Sequence, residues 1–385
     1  HSIKQSHFST SVHLDVLNYY LLALNAKPGR VSSMKISHLC MKPDSNTRYK
    51  QIYFIVVANK RKAKQDFEKY CEPILHLAGL QVDVIQTASE GNAKEIIENL
   101  KGTEAIIVAG GDGTLSEIVT GLMRRNDNAN RFPLGVLPLG RTNTIGNALF
   151  PPPGKNNTQK VRQLIDASMA IVNGKTVWKD AMKIEPLTSE DEEPSRPIYA
   201  MSGVEWGAFR DTLAKRDSYW FLGALREKAA FIFNGYKDSL TWNCSGTVRY
   251  TPPCSGCSNC IQKRVEPKRK WSFFMPSTAK AQTQDDVKLL NPLCLTSHEL
   301  CFKTADFKIQ TQNNKDNQPS ALRWKRLKNI DDGSEPIYAR TVDLLPEESD
   351  KEITIEIDKE EFEVKPVKIT ILPKVIKLFC SPKTK

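Results

Sequence analysis

Long hydrophobic runs are missing from this chain. No stretch of its 385 residues approaches the ~20 consecutive apolar positions that a membrane-spanning helix needs, and the longest apolar piece near the start, 16–24, is too short. Two common phosphate-binding signatures are also missing. There is no GxxxxGK[ST] and no GxGxxG, which excludes an ordinary P-loop and a dinucleotide fingerprint. No nucleic-acid-binding module is recognisable, so nucleic acid is not an expected partner. Cysteine occurs, but as an odd number, nine, widely scattered, which argues against a full disulfide framework. Acidic residues are outnumbered: 55 Lys and Arg face 44 Asp and Glu, leaving +11. A balance of that size favours anionic partners such as nucleotide or an acidic lipid surface. With 40% hydrophobic and 26% charged residues the chain is globular rather than disordered, and its length suits two domains.

The most informative stretch is AIIVAGGDGTLSEIVTG, residues 105–121. Ala105–Val108 has the length and apolarity of a buried parallel strand. Gly110-Gly111-Asp112-Gly113-Thr114 forms a glycine turn, and Leu115, Ile118, Val119 and Leu122 then fall at i, i+3, i+4, i+7, the spacing of a helix with one buried face. A strand, a glycine turn and a helix start together make a place where backbone N–H groups can meet a phosphate. Three glycines remove the side chains that would keep the phosphate away. Asp112 would repel a bare phosphate and makes sense beside Mg²⁺ or in an ordered turn.

Around it, strand and helix patterns alternate. QIYFIVVA (51–58) reads as a first strand, the helix after it ends near Gly79, and Val82–Thr87 is a second strand. A helix over 90–100 follows, and PLGVLPL (133–139) is a fourth strand leading to Gly140-Arg141-Thr142-Asn143. Such alternation implies a parallel sheet with helices on both faces, and ligands on such sheets sit at the carboxyl ends of the strands. Thr87, Gly110–Thr114 and Gly140–Asn143 all fall at that rim. After the prolines at 151–153 a helix over 158–172 and a strand near 176–184 follow. The pieces at 198–204, 247–250, 300–309, 353–357 and 367–372 look β-like, and 219–233 has the periodicity of a buried helix.

GGDGT after a strand resembles the nucleotide loop shared by diacylglycerol, sphingosine and NAD kinases and phosphofructokinases. FEKYCEPILHLAGL (67–80), IIVAGGDGTLSEIVTGLMRR (106–125), MSGVEWGAFRD (201–211) and PVKITILPKVIKLFCSP (366–382) narrow the likeness. On them the chain resembles the diacylglycerol kinase and sphingosine kinase family, and within it the acylglycerol kinase branch. The resemblance implies an α/β plus β fold, with an N-terminal doubly wound parallel sheet of the diacylglycerol kinase type and a C-terminal antiparallel β-sandwich. The expected divisions are a leader at 1–49, incomplete or flexible, an ATP-binding α/β domain at 50–178, and a lipid-substrate domain at 179–372 with insertions near 251–292 and 310–335. A segment at 373–385 is expected to return to the first domain.

The resemblance also implies ATP- and Mg²⁺-dependent phosphorylation of the free hydroxyl of monoacylglycerol and diacylglycerol, giving lysophosphatidate and phosphatidate. It implies a mitochondrial location at the inner membrane or intermembrane space, and a second role in the inner-membrane carrier translocase. Its expected partners are acylglycerol lipids, an anionic membrane surface and translocase subunits. By the family's motifs, Gly110, Gly111, Asp112, Gly113 and Thr114 hold the nucleotide phosphates, with Thr87, Glu117, Thr142 and Asn143 around them and Asp112 beside the metal. A late Asp-x-Glu falls on Asp358-Lys359-Glu360, where Glu360 would take the hydroxyl proton with Asp358 alongside. Glu361 competes with Glu360 for that role, because Lys359 stands where the family's motif has glycine. Phosphoryl transfer asks for these residue types: donors that spread charge, and a carboxylate that orients the hydroxyl.

Other readings stay open. The first strand is followed by Asn59-Lys60-Arg61-Lys62 rather than by glycines, which permits a non-catalytic scaffold of the same translocase. A sphingosine or ceramide kinase and an NAD kinase relative are further alternatives, although the Asn-Glu and Thr-Gly-Ser stretches of NAD kinases are absent. Cys254, Cys257 and Cys260 make two CxxC steps without a local fourth ligand, and favour a thiol loop over zinc. The basic stretch 263–270 before Trp271 could lie on an anionic membrane or in solvent.

Overall fold

The computed structural model describes residues 53–58, 61–89, 91–101, 103–125, 132–152, 154, 156–187, 195–215, 230, 244–254, 292–313, 321–327, 336–347 and 353–381. The leader, the helix expected at 219–233 apart from Ala230, and the basic stretch 263–270 lie outside them.

Four parallel strands open the fold: β1 (Tyr53–Ala58), β2 (Gln81–Gln86), β3 (Ala105–Gly110) and β4 (Leu134–Pro138), in the order β2-β1-β3-β4. Every residue of β3 is buried, as a strand covered on both faces should be. Between the strands run α1 (Arg61–Tyr70), α2 (Glu72–Leu77), α3 (Asn92–Asn99) and α4 (Asp112–Met123). After β4 come α5 (Thr144–Leu149) and α6 (Asn157–Asn173). α6 begins at a reciprocal Asn156–Gln159 capping box and ends at Gly174 in the left-handed conformation.

The helical stripe read from the sequence packs as expected. Leu115, Ile118, Val119 and Leu122 of α4 are at most 2% exposed, and such burial contributes about 1.5–3 kcal/mol per side chain. The other face of α4 is also covered. Ser116 and Thr120 donate from their hydroxyls to the Tyr199 carbonyl at 3.1 Å each, and the Tyr199 N–H donates to Thr120 Oγ1 at 3.0 Å.

The second half is antiparallel. Its strands are β5 (Thr176–Pro186), β6 (Ile198–Ala200), β7 (Gly203–Gly207), β8 (Cys244–Thr251), β9 (His298–Thr304) and β10 (Asp306–Gln310). They are followed by β11 (Leu322–Leu327), β12 (Ile337–Ala339), β13 (Thr341–Pro346), β14 (Thr354–Ile357), β15 (Glu360–Glu363) and β16 (Val367–Phe379), with α7 (Ala208–Ala214) after β7. One sheet runs β12-β11-β10-β7-β14-β15. It packs against β5, β6, β8, β13 and β16 over a core that includes Met182, Trp206, Phe302, Phe307, Val342 and Ile369, a two-sheet sandwich.

Several details differ from the sequence reading. The piece at 300–309 is two strands parted at Ala305, β9 in the sheet with β8 and β10 in the sheet with β7. The expected strand 198–204 is two strands broken at Met201–Ser202, because the N–H groups there turn to a carboxylate rather than to a ladder. The span 310–335, read as a polar insertion, contains β11, whose Leu322 is fully buried. β16 continues past Leu372 to Phe379.

That extension joins the two halves. β16 pairs with β13 in the sandwich and, at Leu378, lies parallel beside Leu134 of β4, so parallel and antiparallel parts form one ten-stranded sheet. β5 accompanies it along both parts, with a bulge between Leu372 and Ile376 where Lys374 takes φ 50°. Asp180 holds the bulge by accepting from the Lys374 N–H at 2.9 Å. Asn313 bonds the Asp180 backbone on both sides, at 2.8 Å each.

Candidate active site

The carboxyl ends of the parallel strands set the site. Gln86, Ala58 and Ala109 stand in one register row, so Thr87 and Gly110 lie one step past it on strands two apart, a separation of about 10 Å. Thr87 is 7% exposed, and its Oγ1 is buried with no hydrogen-bond partner among the described residues. A buried hydroxyl left unpaired is costly, so this one suits a polar ligand at the rim. The loop of Asn59 and Lys60 lies outside the described residues, and Lys62 is exposed at the start of α1.

Gly110 ends β3, and its carbonyl accepts from the N–H groups of Leu139 and Gly140 at 3.2 and 3.0 Å. Asn143 closes the facing turn: its Oδ1 accepts from the Gly140 N–H at 3.0 Å and its Nδ2 donates to the Gly140 carbonyl at 2.8 Å. A Cβ at Gly111 would meet the Thr142 carbonyl oxygen at 2.6 Å and Gly140 Cα at 3.2 Å. The two turns therefore touch backbone to backbone, and only glycine fits at that crossing. Part of the space that the glycines open is filled by the protein itself.

Asp112 starts α4. Its N–H donates to the Thr142 carbonyl at 3.0 Å. Its carboxylate accepts from the Thr144 N–H at 2.8 and 3.0 Å and from the Thr144 hydroxyl at 2.9 Å. Asp112 thus ties the phosphate-type loop to the start of α5 and keeps roughly one of its about four acceptor positions for anything else. Among the described residues no cluster of three or more His, Cys, Asp or Glu could hold a metal. Thr114 is buried in the first turn of α4. Glu117 is turned sideways, and its Oε2 accepts from the Ala93 N–H at 3.1 Å, bracing the first turn of α3.

The residues at 358–360 arrive from the other half of the molecule. Ile357 pairs with Glu360, so β14 and β15 are joined by a two-residue turn, Asp358–Lys359, with φ 46° and 74°. Two positive φ values define the hairpin turn that normally selects Asn-Gly or Asp-Gly. A lysine there costs about 1–2 kcal/mol of backbone strain. Asp358 faces inward at 3% exposure and accepts from three consecutive backbone N–H groups: Met201 at 2.6 Å, Ser202 at 2.8 Å and Gly203 at 2.8 Å. Burial pushes its carboxyl up to about 7, against the three N–H groups that lower it, and the charge of Asp112 adds to the rise.

Glu360 reaches the nucleotide-type loop. A Cβ added at Gly113 would lie 2.9 Å from Glu360 Oε1 and 3.2 Å from its Cγ. Side chains alternate along the strand, and Glu361 turns the other way, with its Oε1 2.7 Å from Arg210 Nη2. Thus Gly110–Thr114, Thr142, Asn143 and Glu360 come together. Asp358 anchors the hairpin behind them, while Glu117 points away toward α3. The sequence reading missed Thr144, the Met201–Gly203 amides and Arg210. MSGVEWGAFRD signalled that 201–211 matter, but nothing in it announced an amide nest for a carboxylate some 155 positions later.

Residues 53–184 match the diacylglycerol kinase catalytic domain, and residues 201–385 match the acylglycerol kinase C-terminal family. The mitochondrial acylglycerol kinases of Mus musculus and Homo sapiens are each 32% identical to the chain, over 89% of it and 84% of their own length. The chain belongs to the acylglycerol kinases, a branch of the diacylglycerol kinase-type lipid kinases. It is a lipid kinase. A putative diacylglycerol kinase from Bacillus anthracis str. Sterne shares the fold, with a TM-score of 0.52 at 13% identity over 88% of this chain and 100% of the other. The α/β plus β-sandwich architecture is therefore that of the family.

Proposed function

We propose that this kinase phosphorylates the free hydroxyl of monoacylglycerol and diacylglycerol, with ATP as donor and Glu360 as the base. The carrying observation is the placement of Glu360 against Gly113, which brings a carboxylate from the sandwich half onto the glycine turn of the α/β half. A kinase of this family uses ATP, and the rim fits a nucleotide: the Thr87 hydroxyl, buried and without a partner among the described residues, the start of α4 and two glycine turns face one edge. Mg²⁺ would ride on the phosphates with Asp112 as the protein carboxylate beside them, supplying charge neutralisation.

In this reading the main-chain amides of the turn and the helix start hold the phosphate chain. The lipid hydroxyl lies at Glu360, which accepts its proton as the oxygen bonds to the γ-phosphorus. The bond from that phosphorus to the bridging oxygen breaks, and ADP leaves with the electron pair. Asp358 does not touch the reacting atoms here; it holds the turn from which Glu360 projects. The mitochondrial location named for the relatives is carried over with the activity.

The test is transfer of labelled phosphate from Mg²⁺–ATP to monoacylglycerol, diacylglycerol, sphingosine, ceramide and NAD offered in parallel. Transfer to the acylglycerols is expected, and transfer to NAD alone would overturn the reading. Glu360→Gln should lower kcat by about 10²–10⁴-fold, whereas Glu361→Gln should keep most of it. Equal, full activity of both would remove Glu360 from the role.

A further inference from the structure

The face of the hairpin turned away from the nucleotide loop carries a charge arrangement that the reaction itself does not require. Lys359 Nζ lies 2.7 Å from Glu205 Oε2 on β7 and 2.6 Å from Glu356 Oε1 on β14. Lys308 of β10 also pairs with Glu205, and Arg210 lies 3.8 Å from Glu356 Oε2. Glu205 and Glu356 are direct cross-strand partners in the β7–β14 ladder. Like charges directly opposite one another push strands apart. The Lys359 ammonium sits between them and reverses that repulsion. Two lysines therefore hold the Glu205 carboxyl below the usual range despite its burial, and burial likewise fails to lower Lys359, which Glu205 and Glu356 hold above its usual value.

The backbone gives a second observation. At φ 74° a glycine would sit without strain, whereas a lysine does not. The side chain therefore does something here that glycine cannot, one residue before Glu360.

We propose that Lys359 is a positioning residue: by bridging Glu205 and Glu356 it clamps the turn to β7, so that Glu360 stays at Gly113 over the nucleotide loop. This rests on the reading of Glu360 as the base. Removing the ammonium leaves Glu205 to Lys308 and Glu356 to Arg210, cuts the tie between the turn and β7, and the hairpin lifts.

Steady-state kinetics of the purified full chain with Mg²⁺–ATP and diacylglycerol test this, on Lys359→Met, Lys359→Gly, Lys359→Arg and Glu360→Gln. Lys359→Met and Lys359→Gly should each lose at least tenfold in kcat with the KM for ATP within twofold of wild type. Lys359→Arg, which can still bridge both carboxylates, should stay within twofold in kcat. Glu205→Gln attacks the clamp from the other side with the lysine retained and should show the same loss in kcat alone, so the outcome does not hang on one variant folding. Wild-type kcat in Lys359→Gly or Lys359→Met, a loss confined to the ATP KM, or no recovery with arginine overturns the proposal. A fully active Glu360→Gln would instead sink the base reading. An inactive Glu360→Gln beside a fully active Lys359→Met would sink only the clamp.

Discussion

A methyl group added at Gly113 would press on the far end of the Glu360 side chain rather than on backbone. Flexible ends move at little cost, so Gly113→Ala should barely change the thermal midpoint yet lower kcat several-fold by displacing Glu360. A midpoint loss that matches the loss of rate would show that the glycine serves the fold alone. Asp358 gives a pH-dependent counterpart. Its folded-state value of about 7 lies above the ordinary 3.8, so between those values the folded protein keeps a proton that the unfolded chain has released. The stability this group contributes is therefore full below about pH 4 and declines as pH rises toward 7. Asp306, raised to about 6 chiefly by burial and next by Glu205, adds a decline of the same sign in any Asp358 variant. Chemical denaturation at pH 5 and pH 8 should show wild type losing more stability over that interval than Asp358→Asn; parallel losses would contradict the assignment. GGDGT was legible because residues at fixed local offsets carried it. Thr144 on Asp112, or Gly140 against Gly111, was not, because those contacts depend on which strands become neighbours.

Elements were legible in proportion to their regularity. The i, i+3, i+4, i+7 stripe of α4 and the apolar run of β3 announced themselves, and both are buried as read. The opposite face of α4 did not, because Ser116 and Thr120 look like solvent-facing residues until β6 covers them. β11 was missed for a related reason: LRWKRL reads as charged and polar, yet it pairs with β10 on one side and β12 on the other. The α4–β6 contact has a measurable consequence. Thr120→Val removes a hydroxyl that both gives and receives a hydrogen bond with the Tyr199 backbone. Leaving the buried Tyr199 N–H unpaired should cost about 1–3 kcal/mol in urea denaturation. Activity should fall as well, since β6 leads directly into the three amides that hold Asp358. A variant as stable as wild type would mean that water replaces the hydroxyl.

At the scale of the whole molecule, the excess of +11 charges and the absence, among the described residues, of any helix long and apolar enough to cross a membrane bear on how a lipid is met. Vesicles containing phosphatidylserine should pull the protein down more than neutral vesicles at low salt. The difference should shrink as ionic strength rises past 0.1 M, where screening sets in within about 10 Å. Equal sedimentation with both vesicle types would discount electrostatic docking. The architecture also sets an order of assembly. Leu134 waits beside an empty lane until its neighbour Leu378, 244 positions later, has been made. At bacterial to eukaryotic translation speeds of about 5–20 residues per second that is roughly 12–50 s. During that interval the open flank of the nascent α/β half invites stray strands, so a ribosome that stalls in the sandwich strands releases a chain whose first half is unfinished too.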